Sequence, residues 1–237
     1  DPIDGKRKSG PVPLKKLEEY QTFEEFYDGY KALLDYYLDL SVKAQYHSYE
    51  VMNQHVSFLF TSLLTDDCIA RGKALLDGGV RYLGGTNETY GNINTSDSLW
   101  VIRDLVFNQK KYTLRQLNDA MLANFNGYEA LRKDCLNCDK YGNDLETADT
   151  MANDLYEFVA KGVRDRGIAI GMQYFLIVIS NNQLNTEWGN RTAASPDGRL
   201  SCMYMNPANN PQGGANKSGP TAMLNSLAKF DAKYHGG

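Results

Sequence analysis

The sequence predicts a helix-rich α/β protein with few, short strands, and three observations support this. Several stretches carry apolar residues at helical spacing, beginning with the segment after Thr22. A nearly unbroken run of apolar residues from Ile168 to Ile179 is typical of a strand buried on both faces. A short candidate strand, Val80–Leu83, precedes a glycine pair. We expect the two strands to be neighbouring walls of one sheet or barrel.

The composition is that of an ordinary globular protein. The chain has 237 residues, of which 42% are hydrophobic and 23% charged, and its net charge is −4. This balance offers no basic field for nucleic acid and no polybasic segment for a membrane surface. No apolar run approaches the roughly 20 residues of a spanning helix. Four cysteines are too few for a disulfide scaffold, and no signal peptide opens the chain, so we expect a reducing, cytoplasmic location.

The N-terminal part is expected to be a connecting loop, residues 1–21, followed by a long helix. Thr22 and Glu25 have the spacing of a capping box, and the apolar stripe behind them predicts a helix to about Met52. The tyrosines of this helix are interpreted as packing residues whose hydroxyls reach the rim. The segment from Phe58 to Leu76 predicts a short helical piece and a second helix. We expect Asp66 or Asp67 to cap that second helix and Gly78-Gly79 to end it.

More helices are expected after the first strand, with residues 84–91 as the loop between strand and helix. The first starts at Thr95 or Ser96 and buries Leu99, Ile102, Leu105 and Val106. The second is capped by Thr113 and broken by Gly127, and the third covers 128–136. The fourth runs from Asp144 to Val163 and is ended by Gly162.

The C-terminal part contains a turn and a long loop. Residues 195–199 spell Ser-Pro-Asp-Gly-Arg, in which proline presets φ and glycine accepts a positive φ. Residues 207–219 are rich in Gly, Asn and Pro and lead to a helix near Pro220. Two strands cannot close a barrel or pair their own edges. The element count therefore favours a part of a larger structure.

No set of residues has the spacing of a metal or nucleophile site. Cys135 and Cys138 have CxxC spacing but lack a second pair or histidine partners, so we interpret them as structural. Cys68 is expected in the core. Cys202 lies between the turn and the glycine-rich loop, and we expect it in the core as well. The histidines are isolated and are interpreted as surface or hydrogen-bonded core residues: His47, His55 and His235.

Candidate substrate contacts lie after the first strand. Glu88 stands beside Thr86 and Asn87, where barrel enzymes place substrate-binding loops. In a closed pocket its carboxylate could hydrogen-bond a substrate hydroxyl or act as an acid or base; the alternative is an exposed loop residue. Alternate residues of the long strand, including Tyr174 and Leu176, either shape an apolar pocket wall or pack in the core. The chain also has two glycine pairs, at 84–85 and at 213–214. Neither has the spacing of a phosphate loop, and both are interpreted as turns that need a positive φ.

Several segments, in order, resemble the glycyl radical enzymes of the pyruvate formate-lyase superfamily. They are DDCIARGKALLDGGVRY, TSDSLWVIRDLVF, ANFNGYEALR with KYGND, SPDGR, and GPTAMLNSLAKFD. The similarity spans the chain after Phe58 and extends more loosely from Asp1. The segments RGKALLDGG and GPTAMLNSLAKFD look more like the dehydratase, decarboxylase and amine-lyase members than like pyruvate formate-lyase itself. The segment 181–191 looks longer than is usual in the family.

This resemblance implies a ten-stranded α/β barrel of two half-barrels, in which a thiyl-forming cysteine meets a glycine radical. It implies an activating enzyme that uses an iron–sulfur cluster and S-adenosylmethionine, with no other bound cofactor. The implied reaction is radical cleavage of a C–C or C–X bond in a small organic substrate, within a cytoplasmic, anaerobic enzyme that is a homodimer at full length. A closed barrel suits this chemistry because it excludes water and oxygen.

Both radical-bearing motifs are missing from the chain. The family's catalytic cysteine has a glutamate two residues later, whereas the cysteines here are followed at that spacing by Ala70, Asn137, Lys140 and Tyr204. The family's Arg-Val-x-Gly-Tyr segment is also missing. We therefore expect residues 1–237 to be an internal portion of the barrel domain, with no catalytic residue of its own and no activity alone. The alternative is a non-catalytic binding or scaffold module that keeps the family's architecture.

Overall fold

The structure is a computed structural model that describes residues 12–172, 174–179 and 183–234, except the side chains of 174–179 and 234. Its helices and strands are α1 (Phe23–His55), α2 (Leu59–Leu64), α3 (Cys68–Arg71), β1 (Gly84–Thr89), α4 (Asn92–Val101), α5 (Leu114–Leu122), α6 (Glu129–Asn137), α7 (Glu146–Ala169), β2 (Tyr174–Ile179), α8 (Leu184–Asn190) and α9 (Gly219–Ala228). A π-helical segment, Ile102–Asn108, continues α4, and 3-10 turns occupy Leu17–Glu19, Leu75–Asp77 and Ala232–Tyr234.

The chain divides into two compact units. The first unit contains the described residues of Asp1–Leu33, Thr89–Phe158 and Ile179–Lys233. The second contains those of Leu34–Glu88, Val159–Val178 and Tyr234–Gly237. The helix-rich prediction is confirmed, because β1 and β2 form a two-stranded sheet among otherwise helical elements. None of the helices in the described ranges is long and apolar enough to cross a membrane.

Local capping signals placed the starts of α1 and α5 correctly. The Thr22 hydroxyl accepts from the Glu25 N–H at 3.2 Å, and the Glu25 carboxylate accepts from the Gln21 N–H at 2.9 Å. These contacts satisfy N–H groups that the first turn leaves without a helical partner. The helix α1 begins at Phe23 as expected and ends at His55, three residues beyond the predicted end.

The capping box of α5 allows a direct test. The Thr113 hydroxyl accepts from the Gln116 N–H at 3.1 Å, and the Gln116 side chain accepts from the Thr113 N–H at 2.9 Å. Thr113→Ala removes the first of these bonds, and we expect it to lower the free energy of unfolding by about 1 kcal/mol in urea titrations. Thr113→Ser keeps the hydroxyl acceptor and is the control. We expect it to change the free energy of unfolding by only a few tenths of a kcal/mol. Equal stability of the Ala and Ser variants would contradict this assignment.

The first strand lies later than the sequence suggested. Strand β1 covers Gly84–Thr89, whereas Val80–Leu83 was predicted and 84–91 was assigned to a loop. In the structure the carbonyl of Val80 accepts a hydrogen bond from Arg71 at 2.9 Å, and the Arg81 guanidinium pairs with Asp67 at 2.9 Å. The Val80 carbonyl is therefore already bonded to α3, and no strand is assigned over residues 80–83. The expectation of a turn at Gly84-Gly85 was wrong because both glycines begin β1 and neither has a positive φ.

The second strand is shorter than its apolar run. The helix α7 continues to Ala169, and β2 begins only at Tyr174, so the predicted strand start at Ile168 and the helix end near Gly162 were wrong. A Cβ at Gly162 would lie 2.9 Å from the Leu38 side chain. Gly162 thus permits close packing against α1 rather than ending a helix. The prediction that the two strands are neighbours is confirmed.

Three further predictions needed correction. The short helical piece expected from Phe58 is α2, but the helix after it, α3, ends at Arg71, before the predicted end at Gly78-Gly79. Asp67 is the N-cap residue of α3, as expected, but it makes no side-chain cap bond because its carboxylate binds Arg71 and Arg81. The helix α4 begins at Asn92, three residues before the predicted start. The segment after β2 contains α8, which was not predicted. The expected apolar face of α4 and its continuation is otherwise buried at Leu99, Ile102 and Leu105, with Val106 half-buried.

Candidate functional site

The three adjacent candidate residues of β1 do not share a face. Side chains alternate along a strand, and Thr86 and Glu88 are exposed on one face of β1. Asn87 is half-buried on the other face, where its Oδ1 accepts a hydrogen bond from the Ser41 hydroxyl at 2.7 Å. The structure therefore brings Thr86 and Glu88 together and holds Asn87 against α1.

A second polar contact aligns β1 with α1. The Tyr49 hydroxyl donates to the Gly84 carbonyl at 3.0 Å, so α1 contacts both the start and the middle of the strand. Eight helical residues separate Ser41 from Tyr49 and rise about 12 Å, while the three strand steps from Gly84 to Asn87 span about 10 Å. The two elements thus run alongside each other within the second unit, and this contact presents the face of Thr86 and Glu88 away from α1.

The remaining two candidates lie in β2. Tyr174 and Leu176 are described by their backbone, which pairs with β1, and their side chains lie outside the described part. Their spacing of two places them on one face of the strand. Their substrate contacts stay a prediction, as do those of Thr86, Asn87 and Glu88.

The Ser-Pro-Asp-Gly-Arg segment forms the predicted turn, and two of its charged residues are buried. The Gly198 N–H donates to the Ser195 carbonyl at 3.0 Å, and Gly198 has a φ of 94°. Asp197 and Arg199 are each 4% exposed. The Arg199 guanidinium donates to the carbonyl oxygens of Ala193, Leu200 and Met203 and to the Ser195 hydroxyl. Burial lowers the pKa of Arg199. The motif is therefore a structural clamp for the chain around it.

A network of amides ties this turn to α4 and to the glycine-rich loop. The Asn94 amide donates to Asp197 at 2.6 Å and to Gln212 at 3.1 Å, and its oxygen accepts from the Asn206 N–H at 2.7 Å. The Ser98 hydroxyl accepts from the Asp197 N–H at 3.2 Å. The loop therefore has a fixed position despite its glycine content.

Asp97 is a carboxyl group that the sequence reasoning did not identify. It is 1% exposed, and its Oδ1 accepts from the Tyr141 N–H at 2.9 Å. Its Oδ2 has no hydrogen-bond partner among the described residues. Burial raises the pKa of Asp97 to about 8, against the opposing effect of the nearby Lys140 charge. A signal was present in the sequence, because α4 carries a polar run, 94–98, and a helix buried on all sides needs internal partners for such groups.

The cysteine and histidine interpretations were mostly correct. Burial raises the pKa of Cys135 to about 12 and that of Cys138 to about 11, which favours the protonated thiols over the reactive thiolates at neutral pH. Cys68 is in the core as predicted, at 3% exposed. Cys202 is exposed, so its predicted core position was wrong; it has a φ of 63° in a tight bend on the surface.

His47 and His55 are exposed, as predicted, and His235 lies outside the described residues.

Comparison with known proteins places this fold in one family. The family model described as pyruvate formate lyase-like matches residues 1–184. The trans-4-hydroxy-L-proline dehydratase of Clostridioides difficile is 31% identical over 238 residues, covering 100% of this chain and 30% of the relative. The 4-hydroxyphenylacetate decarboxylase glycyl radical subunit of the same species, strain CD196, is 26% identical over 237 residues, covering 89% of this chain and 26% of the relative.

A solved structure agrees with these relatives. The crystal structure of hydroxyproline dehydratase from Clostridioides difficile with trans-4-hydroxy-L-proline bound superimposes with a TM-score of 0.87 at 30% identity, over 92% of this chain and 28% of the other. The chain thus spans about 30% of the length of the curated relative that it matches over its whole length. It belongs to the pyruvate formate lyase-like family, whose members are glycyl radical enzymes.

Proposed function

We propose that this chain forms part of the barrel wall of a glycyl radical lyase, and that the full-length enzyme is a dehydratase acting on a small hydroxylated substrate. The observation that carries the proposal is the match of this chain to a dehydratase, over 100% of its length in sequence and 92% in fold. Amine-lyase and decarboxylase activities belong to the same proposal as alternatives within the reaction class. In this view residues 1–237 are an internal portion of the ten-stranded barrel domain, and β1 and β2 are two neighbouring strands of it.

The reactive radical residues lie outside the chain in this proposal. No Cys-x-Glu or Arg-Val-x-Gly-Tyr segment is present to carry them. An activating enzyme with an iron–sulfur cluster and S-adenosylmethionine would install the glycyl radical, and the thiyl radical formed from the cysteine would supply hydrogen abstraction from the substrate. The full-length enzyme works in the cytoplasm as a homodimer. The chain's own contribution is to bind and orient the substrate and to exclude water.

Glu88 and Thr86 are the residues proposed to face the substrate from β1, and Tyr174 and Leu176 from β2. In a dehydration the C–O bond breaks and the departing hydroxyl takes up a proton to leave as water. Glu88 would hydrogen-bond that hydroxyl and deliver the proton to it as the C–O bond breaks. Asn87, held by Ser41, would fix the strand rather than contact the substrate.

The substitution Glu88→Gln tests this role in the full-length polypeptide encoded by the gene. With activating enzyme and substrate, we expect kcat to fall by about 100-fold or more, the contribution typical of a positioned acid, while the yield of glycyl radical stays unchanged. Glu50→Gln, an exposed carboxylate of α1, is the matched control and should keep full activity. Activity of Glu88→Gln within twofold of the control would refute the assignment.

The competing function is a binding or scaffold module without radical chemistry. The encoding DNA separates the two. A reading frame that continues past both ends, with Cys-x-Glu upstream and a radical-glycine segment downstream, supports the enzyme. A start codon immediately before Asp1 and a stop codon after Gly237 support the module.

A further inference from the structure

A cavity in the first unit is distinct from the strand candidates described above. It has a volume of about 490 Å³ and is bounded by α6, the 195–199 turn and the loop 212–217. The contribution of α6 is one helix face with positions spaced i, i+3, i+4, i+7 and i+8: Glu129, Arg132, Lys133, Leu136 and Asn137. Such a face is usually apolar where a helix meets another segment. Here four of its five side chains are polar or charged and all but Arg132 are exposed, so this face does not pack against another segment.

Cationic side chains outnumber acidic ones around this cavity. The cations are Arg132, Lys133, Lys140, Arg199 and Lys217, and the acids are Asp97, Glu129 and Asp197. The chain as a whole carries a net charge of −4, so the cavity is a local positive region in an acidic protein. Burial keeps Asp97 protonated at neutral pH, since its pKa is about 8, and this widens the excess of positive charge.

The remaining acids already accept hydrogen bonds from neighbouring residues, whereas several of the cations form no salt bridge in the described part of the chain. Asp197 accepts hydrogen bonds from Asn94 and Ser195, and Glu129 accepts one from the Gly127 N–H at 3.0 Å. In contrast, Arg132, Lys133 and Lys217 form no salt bridge within the described ranges. Arg132 uses its Nε–H on the Gly198 carbonyl at 2.9 Å, which fixes the guanidinium at the wall.

Two of the residues that line the cavity are buried polar side chains. Lys140 is 6% exposed, and its ammonium donates to the carbonyl oxygens of Cys135 and Cys138 at the end of α6. Asp97 is 1% exposed and is one of the lining residues, and its Oδ2 is a buried oxygen that has no hydrogen-bond partner in the described part of the chain. Buried polar groups without a partner are rare in folded proteins, and a bound group can supply the missing bond.

We propose that this cavity binds a small organic anion. Its carboxylate or phosphate group is held by Arg132, Lys133 and Lys217, and a second polar group of the ligand hydrogen-bonds Asp97. The volume is in the range of small-molecule sites, and arginine and lysine are the donors that proteins use for both anions. The site is made from the first unit alone and does not depend on the proposed radical chemistry.

Calorimetric titration of the 237-residue chain at low salt tests the proposal with malonate and inorganic phosphate as separate probes. We expect one of them to bind with a 1:1 stoichiometry, and the one that binds identifies the anionic group. The double variant Lys133→Gln/Lys217→Gln should weaken that binding at least tenfold. The control Lys43→Gln/Lys73→Gln changes the charge equally at exposed positions outside the cavity and should leave the affinity unchanged. Failure of both probes to bind, or an equal loss in the control, would overturn the proposal.

Discussion

Replacing Asp97 with asparagine should stabilise the chain at neutral pH and remove much of the fall in its stability as pH rises. Burial raises the folded-state pKa of this carboxyl to about 8, against its ordinary value of 3.8. Between these values the unfolded chain loses a proton that the folded chain retains. Unfolding therefore becomes easier as pH rises through this window, by up to about 1.4 kcal/mol per pH unit, and the effect ends above pH 8.

Asparagine keeps the oxygen that accepts from the Tyr141 N–H and has no proton to lose. Urea titrations at pH 5, 6, 7 and 8 should show unfolding midpoints that fall with pH in the natural chain and fall less in Asp97→Asn. Asp165→Asn, at an exposed position of α7, is the control and should follow the natural chain. Parallel pH profiles for Asp97→Asn and the natural chain would contradict the account of Asp97.

Arg199→Met should be among the most destabilising single substitutions in the first unit. The Arg199 guanidinium serves three backbone carbonyls and the Ser195 hydroxyl from a position that is 4% exposed. Methionine fills similar space but leaves those part-buried acceptors without the donors that Arg199 supplies. We expect a loss of about 3–5 kcal/mol in the free energy of unfolding, because buried charged hydrogen bonds are costly to break from one side.

Arg191→Met provides the matched control for that loss. Arg191 is exposed and pairs with Glu187 at 3.1 Å across one helical turn, a pair worth about 0.3–0.5 kcal/mol. Thermal unfolding of the two variants should therefore differ by many degrees. A loss for Arg199→Met below about 1 kcal/mol, close to that of the control, would show that the turn does not depend on its arginine.

The sequence predicted features that depend on neighbouring residues. Two helix starts were placed by Thr22 with Glu25 and by Thr113, and the turn was placed by Pro196 with Gly198, because the contacts involved lie within a few residues. Strand positions depend on contacts with distant residues and were less well predicted. The start of β1 was missed because Arg71 and Asp67 engage residues 80–81, which no local pattern indicates.

The candidate site shows the same difference between features set by neighbouring residues and features set by distant contacts. Thr86, Asn87 and Glu88 were selected by residue type. They lie in one strand, where side chains alternate, so Asn87 is on the opposite face from the other two. The buried Asp97 and its partners on Tyr141 and Lys140 come together across more than 40 residues. Such long-range contacts require the fold. The family resemblance was confirmed because it rested on several motifs in order rather than on any one element.

The central claim is that this chain builds the walls of a radical enzyme whose reactive atoms lie elsewhere. Electron paramagnetic resonance tests it most directly. The 237-residue chain is incubated without oxygen with an activating enzyme, S-adenosylmethionine and a reductant, beside the full-length polypeptide. We expect a glycyl radical doublet from the full-length polypeptide and no signal from the 237-residue chain. A doublet from these 237 residues would contradict the claim.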